Sequence, residues 1–520
     1  MDSDKKIISS HIFVFPFNWD YVNNEDWLNT CIDERLNVDK FIESLRDGWE
    51  EEERKIKNDE DYNTYTYFYG NVRKAIYGKK SNVKINKYKG TTIKNIKYYW
   101  KKLINKKVSN RIVTCLNYKN INKNSIYEIY IKNRDDMGKE SYKLKIRSIK
   151  LKIYDTGVAT LSYFLDNYEY KTREDILIIN DYGRRIYPQY IPLEKAQDNL
   201  LARKVSLKFG NDTIEEDFNY DTKKYPTKVS KIITELLGEK FGSTEKELKD
   251  YYSNEKKNIL IRPVIDDRMF VICWYSDNLN SSILTKYKDQ EYLKNDFWYQ
   301  YLFIDNEGST CQDGRMKKDL LLKSTYTRWK DYGTLFGISR YSFVLLCDES
   351  NFSVNVLYNY INNIYYEMII LALVQRASIL RFSDETSKIA SFENKNIYRQ
   401  IKKLQEYYIR FVNTIYFREV TAQEQGIELY DKLTELMRIE REVKRLDEEI
   451  DEIQRYITLE TNGSTNKLVN LITYVGLSVS VMGVVATAFP LRSEVLKWLA
   501  IFGVPTFMII WMIQLIKDRR

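Results

Sequence analysis

The chain has 520 residues, with 82 Lys and Arg against 73 Asp and Glu, and a formal net charge of +9. This length predicts two or three domains with enough chain for a sizeable core. A single histidine, His11, argues against imidazole-based acid–base catalysis and a histidine-rich metal site. The five cysteines include no CxxC pair, which argues against a disulfide framework or a zinc site and indicates a reducing compartment. Residues 1–10 lack an apolar run, so we expect no signal peptide.

The region from His11 to Cys347 predicts an α/β or α+β domain with a mixed sheet, because short β-rich runs alternate with turn signals. We expect helices at Glu25–Lys55 and Lys228–Phe241. The predicted strands are His11–Phe17, which closes at Pro16, Tyr142–Tyr154, Val158–Phe164, Asp175–Asn180, Met269–Tyr275, Trp298–Ile304 and Tyr341–Cys347. The turn Asp155-Thr156-Gly157 joins Tyr142–Tyr154 and Val158–Phe164 into a predicted hairpin. We assign residues 1–357 to a cytosolic, ligand-sensing domain.

A basic segment, Asn71–Tyr130, holds sixteen Lys and Arg and one acid, Glu128. Such a surplus attracts phosphates of a nucleic acid, an anionic lipid or a nucleotide. The Lys- and Tyr-rich composition of the whole chain explains the segment equally well. It contains no recognised nucleic-acid motif, so we expect no stable nucleic-acid partner.

Two segments combine arginines with aromatic residues, which suits a phosphate attached to a base. The alternative is that they are loops stabilised by stacking and a surface ion pair. The candidate ligand-binding residues are Asn180, Tyr182, Arg184, Arg185, Arg328, Trp329, Arg340 and Tyr341. With no P-loop, GxGxxG motif or nucleophile elbow, the sequence predicts no enzymatic activity, no catalytic residue, no metal ligand and no cofactor beyond a nucleotide-type ligand.

Residues 358–467 predict a helical hairpin and stalk. Ile361–Phe382 and Asn396–Phe417 indicate packing helices. Beyond Gly426, apolar residues recur at heptad spacing without a proline, so we expect one long coiled-coil helix that self-associates. That series is Leu429, Leu436, Val443, Ile450 and Ile457, with Ile439, Leu446 and Ile453 between its members.

Residues 468–520 predict a transmembrane hairpin, because Leu468–Phe489 and Trp498–Ile516 are uncharged runs long enough to span a bilayer. The flanking Lys467 and the basic last residues place both termini in the cytosol. The predicted fold class is therefore an α+β cytosolic domain with a mixed sheet, a long coiled-coil stalk and two C-terminal transmembrane helices. The predicted location is the inner or plasma membrane of a prokaryote.

The first predicted span carries a polar stripe at seven-residue spacing. Hydroxyl groups in such a stripe are costly toward lipid, so they face a pore or neighbouring helices. Both readings, pore lining and a packing stripe, stay open. The candidate pore-lining residues are Asn466, Asn470, Thr473, Leu477, Ser480, Val484 and Thr487.

A cytosolic α/β domain, a helical hairpin, a stalk and two terminal spans together resemble the CorA divalent-cation transport superfamily. The resemblance implies a homopentamer in which the first span lines a central pore. It covers Tyr358–Arg520 best. The superfamily's Gly-Met-Asn filter is missing, because the matching place reads Ala488-Phe489-Pro490-Leu491. Phe, Pro and Leu offer no side-chain oxygen to a hydrated cation, which weakens the case for magnesium uptake.

The chain also resembles a branch of CorA-like proteins that lacks this filter and accompanies type III CRISPR systems. The resemblance implies a membrane effector whose cytosolic domain binds a nucleotide second messenger, an S-adenosylmethionine–AMP conjugate, in antiviral defence. We therefore expect a messenger-gated homopentameric channel in the bilayer. The alternatives are a divalent-cation transporter and a membrane-anchored interaction scaffold; a membrane-bound nuclease or ligase lacks a motif.

Overall fold

The computed structural model describes residues 6–22, 30–52, 56, 59–78, 111–131, 140–187, 202–210, 212–218, 228–248, 257–264, 267–286, 290–390, 397–456 and 458–459. Contacts divide the chain into two units, Met1–Asp447 and Glu448–Arg520. In the second unit the described residues, 448–456 and 458–459, are helical. The predicted boundaries after residues 357 and 467 stay predictions.

The described residues of the first unit form fourteen strands that belong to one sheet. They are β1 Ser9–Tyr21, β2 Trp49–Glu51, β3 Val113–Tyr118, β4 Ile126–Tyr130, β5 Ser141–Tyr154, β6 Val158–Asn167, β7 Lys204–Phe209, β8 Asp212–Asp217, β9 Phe241–Gly242, β10 Ile259–Pro263, β11 Phe270–Ser276, β12 Thr325–Tyr326, β13 Leu335–Ile338 and β14 Ser342–Cys347.

The helices of the first unit are mostly short before residue 350 and longer after it. They are α1 Ile32–Arg35, α2 Val38–Glu43, α3 Asp59–Thr66, α4 Gly70–Tyr77, α5 Arg173–Gly183, α6 Lys231–Leu237, α7 Glu245–Leu248, α8 Asn278–Lys286, α9 Asp296–Phe303, α10 Gly314–Ser324, α11 Tyr358–Tyr360, α12 Tyr366–Ala390, α13 Ile397–Thr414 and α14 Glu424–Met437. Two π-helical segments, Ser353–Leu357 and Ile361–Tyr365, flank α11. Residues 439–456 are helical again.

The sheet is mixed. Its main path runs β12-β13-β14-β11-β1-β6-β5-β4-β7-β8, while β10 pairs with β1 and β9, and β3 pairs with β5 and β2. The pairs β11–β14 and β9–β10 are parallel. The predicted hairpin is confirmed as β5 and β6, which pair in antiparallel register from Lys145↔Asp166 to Ile153↔Ala159.

Strand β1 lies at the centre of the sheet and runs through Pro16, where we had predicted its end. Its first half pairs with β11 as far as Val14↔Phe270, and its second half pairs with β10 from Phe17↔Pro263. Pro16 lies where β1 passes from one partner to the other. A residue without an N–H is tolerated there, because no ladder hydrogen bond is lost.

Helices cover both faces of the sheet. The side chains of β1 alternate between these two faces and contact helices on each of them. On one face, the ring of Phe13 lies against Gly183 of α5, and Trp19 packs edge-on against Phe41 of α2. On the other face α12 crosses β1 and β6. Most of α12 is buried, so the predicted packing helix Ile361–Phe382 is confirmed and joins the sheet in a single unit.

A buried charge cluster fastens α12 to the sheet. Arg381 donates from Nη2 to Asp20 Oδ1 at 2.7 Å, and Arg35 donates from Nη1 to the same oxygen at 3.1 Å. Arg35 also pairs with Glu385 of α12. Burial alone would raise the pKa of Asp20, but Arg381 and Arg35 hold it below its usual range. The cluster is structural: it satisfies charges that would be costly if buried alone.

Two of the predicted strands are wrong, because both segments form helices. Asp175–Asn180 lies in α5, where the Thr172 side chain accepts from the N–H of Asp175. Trp298–Ile304 lies largely in α9, where the Asn295 side chain accepts from the N–H of Trp298. Both runs are buried nearly throughout, so their periodicity does not separate strand from helix, whereas the capping residues do.

The other local predictions are confirmed with shifted ends, except one. Lys228–Phe241 contains α6, and Asn396–Phe417 contains α13. The exception is Glu25–Lys55, where the helical prediction is right only in part, because the described residues form the short helices α1 and α2 and then strand β2.

The structure corrects the predicted fold class. The described chain is a mixed α/β protein on one fourteen-stranded sheet, where we predicted an α+β domain with a separate stalk and two transmembrane helices. No helix within the described ranges is long and apolar enough to cross a membrane. That finding overturns the membrane-protein, ion-channel and inner-membrane predictions. Both apolar runs, 468–489 and 498–516, and all seven candidate pore-lining residues lie outside the described residues.

The predicted stalk helix is interrupted within the first unit. Helix α14 ends at Met437, Arg438 adopts a left-handed conformation, and the next helical stretch begins at residue 439. Leu429, Leu433 and Met437 are buried before the break, and Ile439, Val443 and Leu446 after it.

Candidate ligand cavity

A cavity of about 580 Å³ opens at the carboxyl end of α14. Four parts of the chain surround it: α12, the loop after α13, the last turns of α14, and the residues that follow the break at Arg438. Its lining residues are Gln375, Tyr416, Phe417, Arg418, Asp431, Thr434, Glu435, Arg438, Ile439, Glu440 and Arg441.

The floor of the cavity is a fixed hydrogen-bond network. The fully buried Gln375 donates from Nε2 to the Ile415 carbonyl and to the Tyr430 hydroxyl, each at 2.9 Å. Tyr430 in turn donates to the Phe417 carbonyl at 3.1 Å. This network joins α12, α14 and the loop after α13. It therefore fixes the positions of the three parts of the chain that form the floor of the cavity.

The rim carries three arginines and three acids. Arg418 and Glu440 form a long, exposed ion pair at 3.9 Å, which contributes little to stability. Arg438 and Arg441 are exposed, and neither makes an ion pair with any residue in the described ranges. Burial and the nearby Glu419 raise the pKa of Asp431. The rim therefore offers guanidinium groups that a ligand can engage.

Volume and chemistry together suit a small anionic ligand with a ring. Small-molecule sites commonly occupy 300–1,000 Å³ and combine apolar walls with a few directed polar groups. Here Tyr416 and Phe417 supply the aromatic wall, and the arginines supply forked donors that match phosphate or carboxylate. Among the described residues, no group of three or more His, Cys, Asp or Glu side chains is placed to hold a metal ion.

The predicted residues at 180–185 lie in the core and not in an exposed turn. Asn180 and Tyr182 are buried in α5, and Asn180 Oδ1 lies 2.7 Å from Nδ1 of His11. On its other side His11 Nε2 lies 2.8 Å from the Ser9 hydroxyl, which accepts from Asn167. Although the order Ser–His–Asn resembles a nucleophile with its base, all three side chains are fully buried, and the chain of bonds joins β1 to α5 and β6.

Arg184 and Arg185 form a buried cluster with Asp181 and Asp267. Arg184 donates from Nη2 to the Ile304 carbonyl at 2.9 Å, and burial lowers its pKa to about 10. Arg185 lies 3.5 Å from Asp267. These guanidinium groups join α5 to the chain before β11 and after α9, so the structure gives them packing partners away from the cavity.

The residues predicted at 328–341 separate into two places. Thr325 pairs with Gly337, so Arg328 and Trp329 lie beyond one end of the β12–β13 ladder and Arg340 and Tyr341 beyond the other. Arg328 forms an ion pair with Glu428 of α14, and Trp329 is partly exposed. The eight predicted ligand residues therefore do not form one site.

Arg340 is the predicted residue that comes nearest to the cavity lining. Its Nε donates to the Leu436 carbonyl at 3.1 Å, in the last turn of α14, and its own carbonyl accepts from Arg376, the neighbour of Gln375. Tyr341 instead stacks against Arg268, with 5.1 Å between the guanidinium carbon and the ring centroid.

Sequence reasoning missed the residues that line the cavity. Arg438 and Arg441 fall within the predicted coiled-coil helix, and the heptad pattern that runs through them does not single them out. The run Tyr416-Phe417-Arg418 at the end of a predicted helix was the available signal. Its significance depends on α14 folding back beside α12, which no local pattern reveals.

Comparison with known proteins adds no assignment: no protein-family model matches the chain, and the search of curated proteins gives no match.

Proposed function

We propose that this chain is a sensor that binds a nucleotide-type anion in the cavity at the end of α14. The observation that carries the proposal is the pair Arg438 and Arg441, whose side chains form no ion pair within the described ranges and stand on the rim of a cavity of about 580 Å³. Paired arginines beside aromatic rings recognise a phosphate attached to a base.

The ligand class we propose is an adenylate-type second messenger. The CorA-like resemblance implies an S-adenosylmethionine–AMP conjugate and a role in type III CRISPR defence. The mixed rim supports this class, because the arginines suit the phosphate while Asp431, Glu435 and Glu440 suit a cationic group on the same ligand. No reaction is part of the proposal; the ligand acts by binding.

Isothermal titration of the full-length chain with the S-adenosylmethionine–AMP conjugate, AMP and ATP tests this function. We expect saturable binding of the conjugate, and Arg441→Gln should weaken it at least about ten-fold, because a charge-assisted hydrogen bond contributes roughly 1.5–3 kcal/mol. Lys444→Gln is the matched control, since Lys444 is exposed on the same helix and does not line the cavity.

Two results would count against the proposal. One is the absence of binding by all three nucleotides. The other is an equal affinity of wild type, Arg441→Gln and Lys444→Gln for the conjugate, which would place the site elsewhere in the molecule.

A further inference from the structure

The helix break at Arg438 is made by a residue that does not favour it. Arg438 has φ 58° and ψ 33°, a left-handed conformation, between α14 and the helical residues that begin at 439. Side chains with a Cβ are crowded against their own backbone in this region, and glycine is the usual residue there. The break is therefore maintained by its surroundings and not by local preference.

The sequence across the break favours an uninterrupted helix. Neither glycine nor proline occurs between residues 427 and 459, and arginine is a good helix former. The apolar series Leu429, Leu436, Val443 and Ile450 continues at seven-residue spacing through the break. The natural competitor of the observed bend is thus one continuous helix from α14 onward.

The cavity is lined from both sides of this bend. Asp431, Thr434 and Glu435 contribute from α14, while Ile439, Glu440 and Arg441 contribute from the helix after it. The bend itself is closed by the N–H of Arg438, which donates to the carbonyls of Glu435 and Thr434. Straightening the chain would rotate the second group of lining residues away from the first and open the cavity.

We propose that Arg438 is a two-state hinge, bent as observed or helical, and that a ligand in the cavity selects the bent state. The second half of this inference rests on the proposed function; the hinge itself does not. A ligand that touches both arms binds only one of the two states well, and this difference in affinity shifts the population.

Comparing Arg438→Gly with Arg438→Ala isolates the backbone, because both variants lack the guanidinium group. Glycine favours the bend, whereas alanine favours the helix. In a continuous helix the amides of Ile439, Glu440 and Arg441 donate to carbonyls one turn earlier, while at a helix start they do not. Hydrogen exchange of the ligand-free, full-length protein should therefore be about five-fold slower at these amides in Arg438→Ala than in Arg438→Gly.

Equal exchange at the three amides in the two variants would overturn the hinge, whatever the ligand does. With the S-adenosylmethionine–AMP conjugate, the glycine variant should bind about five-fold more tightly than the alanine variant. Equal affinities would overturn the coupling to the cavity. If the conjugate does not bind but the exchange rates differ, the proposed function fails and the hinge stands.

Discussion

At the scale of single residues, several polar side chains that stand out in the sequence are structural. His11, the only histidine of the chain, is fully buried between Ser9 and Asn180. Burial lowers its pKa from 6.5 to about 4, although the hydrogen bond with Asn180 opposes the shift. The folded protein therefore keeps this imidazole neutral over a pH range in which the unfolded chain takes up a proton.

The lowered pKa of His11 predicts a pH-dependent stability. Above 6.5 its contribution is complete, and it is lost as the pH falls from 6.5 to about 4, because only the unfolded state binds the proton. The loss reaches about 3 kcal/mol, at roughly 1.4 kcal/mol per pKa unit. Denaturant unfolding of wild type and His11→Gln measures it: the stability difference between the two should shrink toward low pH, and a constant difference would contradict the account.

The expectation that this histidine takes no part in acid–base catalysis stays a prediction. What composition could not indicate was its burial. The hydrogen bond between His11 and Asn180 joins residues that are 169 positions apart, so it follows from the packing of the fold and not from local pattern.

At the scale of elements, the residues that cap a helix indicate the type of element better than apolar runs do. The capping side chains of Thr172 and Asn295 identify α5 and α9 as helices, whereas their apolar runs predict strands. Gly157, by contrast, lies in the predicted turn between β5 and β6 with φ +78°, where a Cβ would meet the Arg381 guanidinium within 3 Å. The turn can therefore be predicted from its own residues, whereas α5 and α9 can be predicted as helices only from their capping residues.

Because α12 is attached to the sheet through a buried arginine, we expect replacement of that arginine to destabilise the protein more than replacement of an exposed one. Arg381→Met should lower the free energy of unfolding by about 2–3 kcal/mol, because it removes one of three guanidinium groups that pair with buried Asp20 and a donor to the buried Trp19 and Gly157 carbonyls. Arg399→Met is the control: it removes an exposed ion pair with Glu34 and should cost less than about 1 kcal/mol. Chemical denaturation measures both, and similar losses would show that the buried cluster does not secure α12.

At the scale of the whole molecule, the prediction recognised a mixed sheet and packing helices but not the contacts between them. We assigned residues 358–467 to a helical hairpin and stalk, and within that range α12 packs across β1 and β6. Its charged residues Glu367 and Arg381 interrupt the apolar run, and each has a buried partner, Lys152 and Asp20. Such partners come from distant strands, and for that reason the sequence alone does not reveal them.

The cavity follows from the same long-range packing. It exists because α14 returns beside α12 and because the chain bends at Arg438, where the heptad pattern predicts a straight helix. Of the predicted ligand residues, Arg340 alone is hydrogen-bonded within the described ranges to the turn of α14 that lines the cavity.

The central claim is the location of the ligand, and photo-crosslinking tests it most directly. An azido-adenine derivative of the S-adenosylmethionine–AMP conjugate, irradiated with the full-length protein and followed by mass spectrometry, should label peptides that contain Tyr416–Arg418 or Asp431–Arg441. Excess unlabelled conjugate should suppress this labelling. Competable labelling confined to other peptides, such as those with Arg184 or Arg328, would contradict the assignment of the cavity.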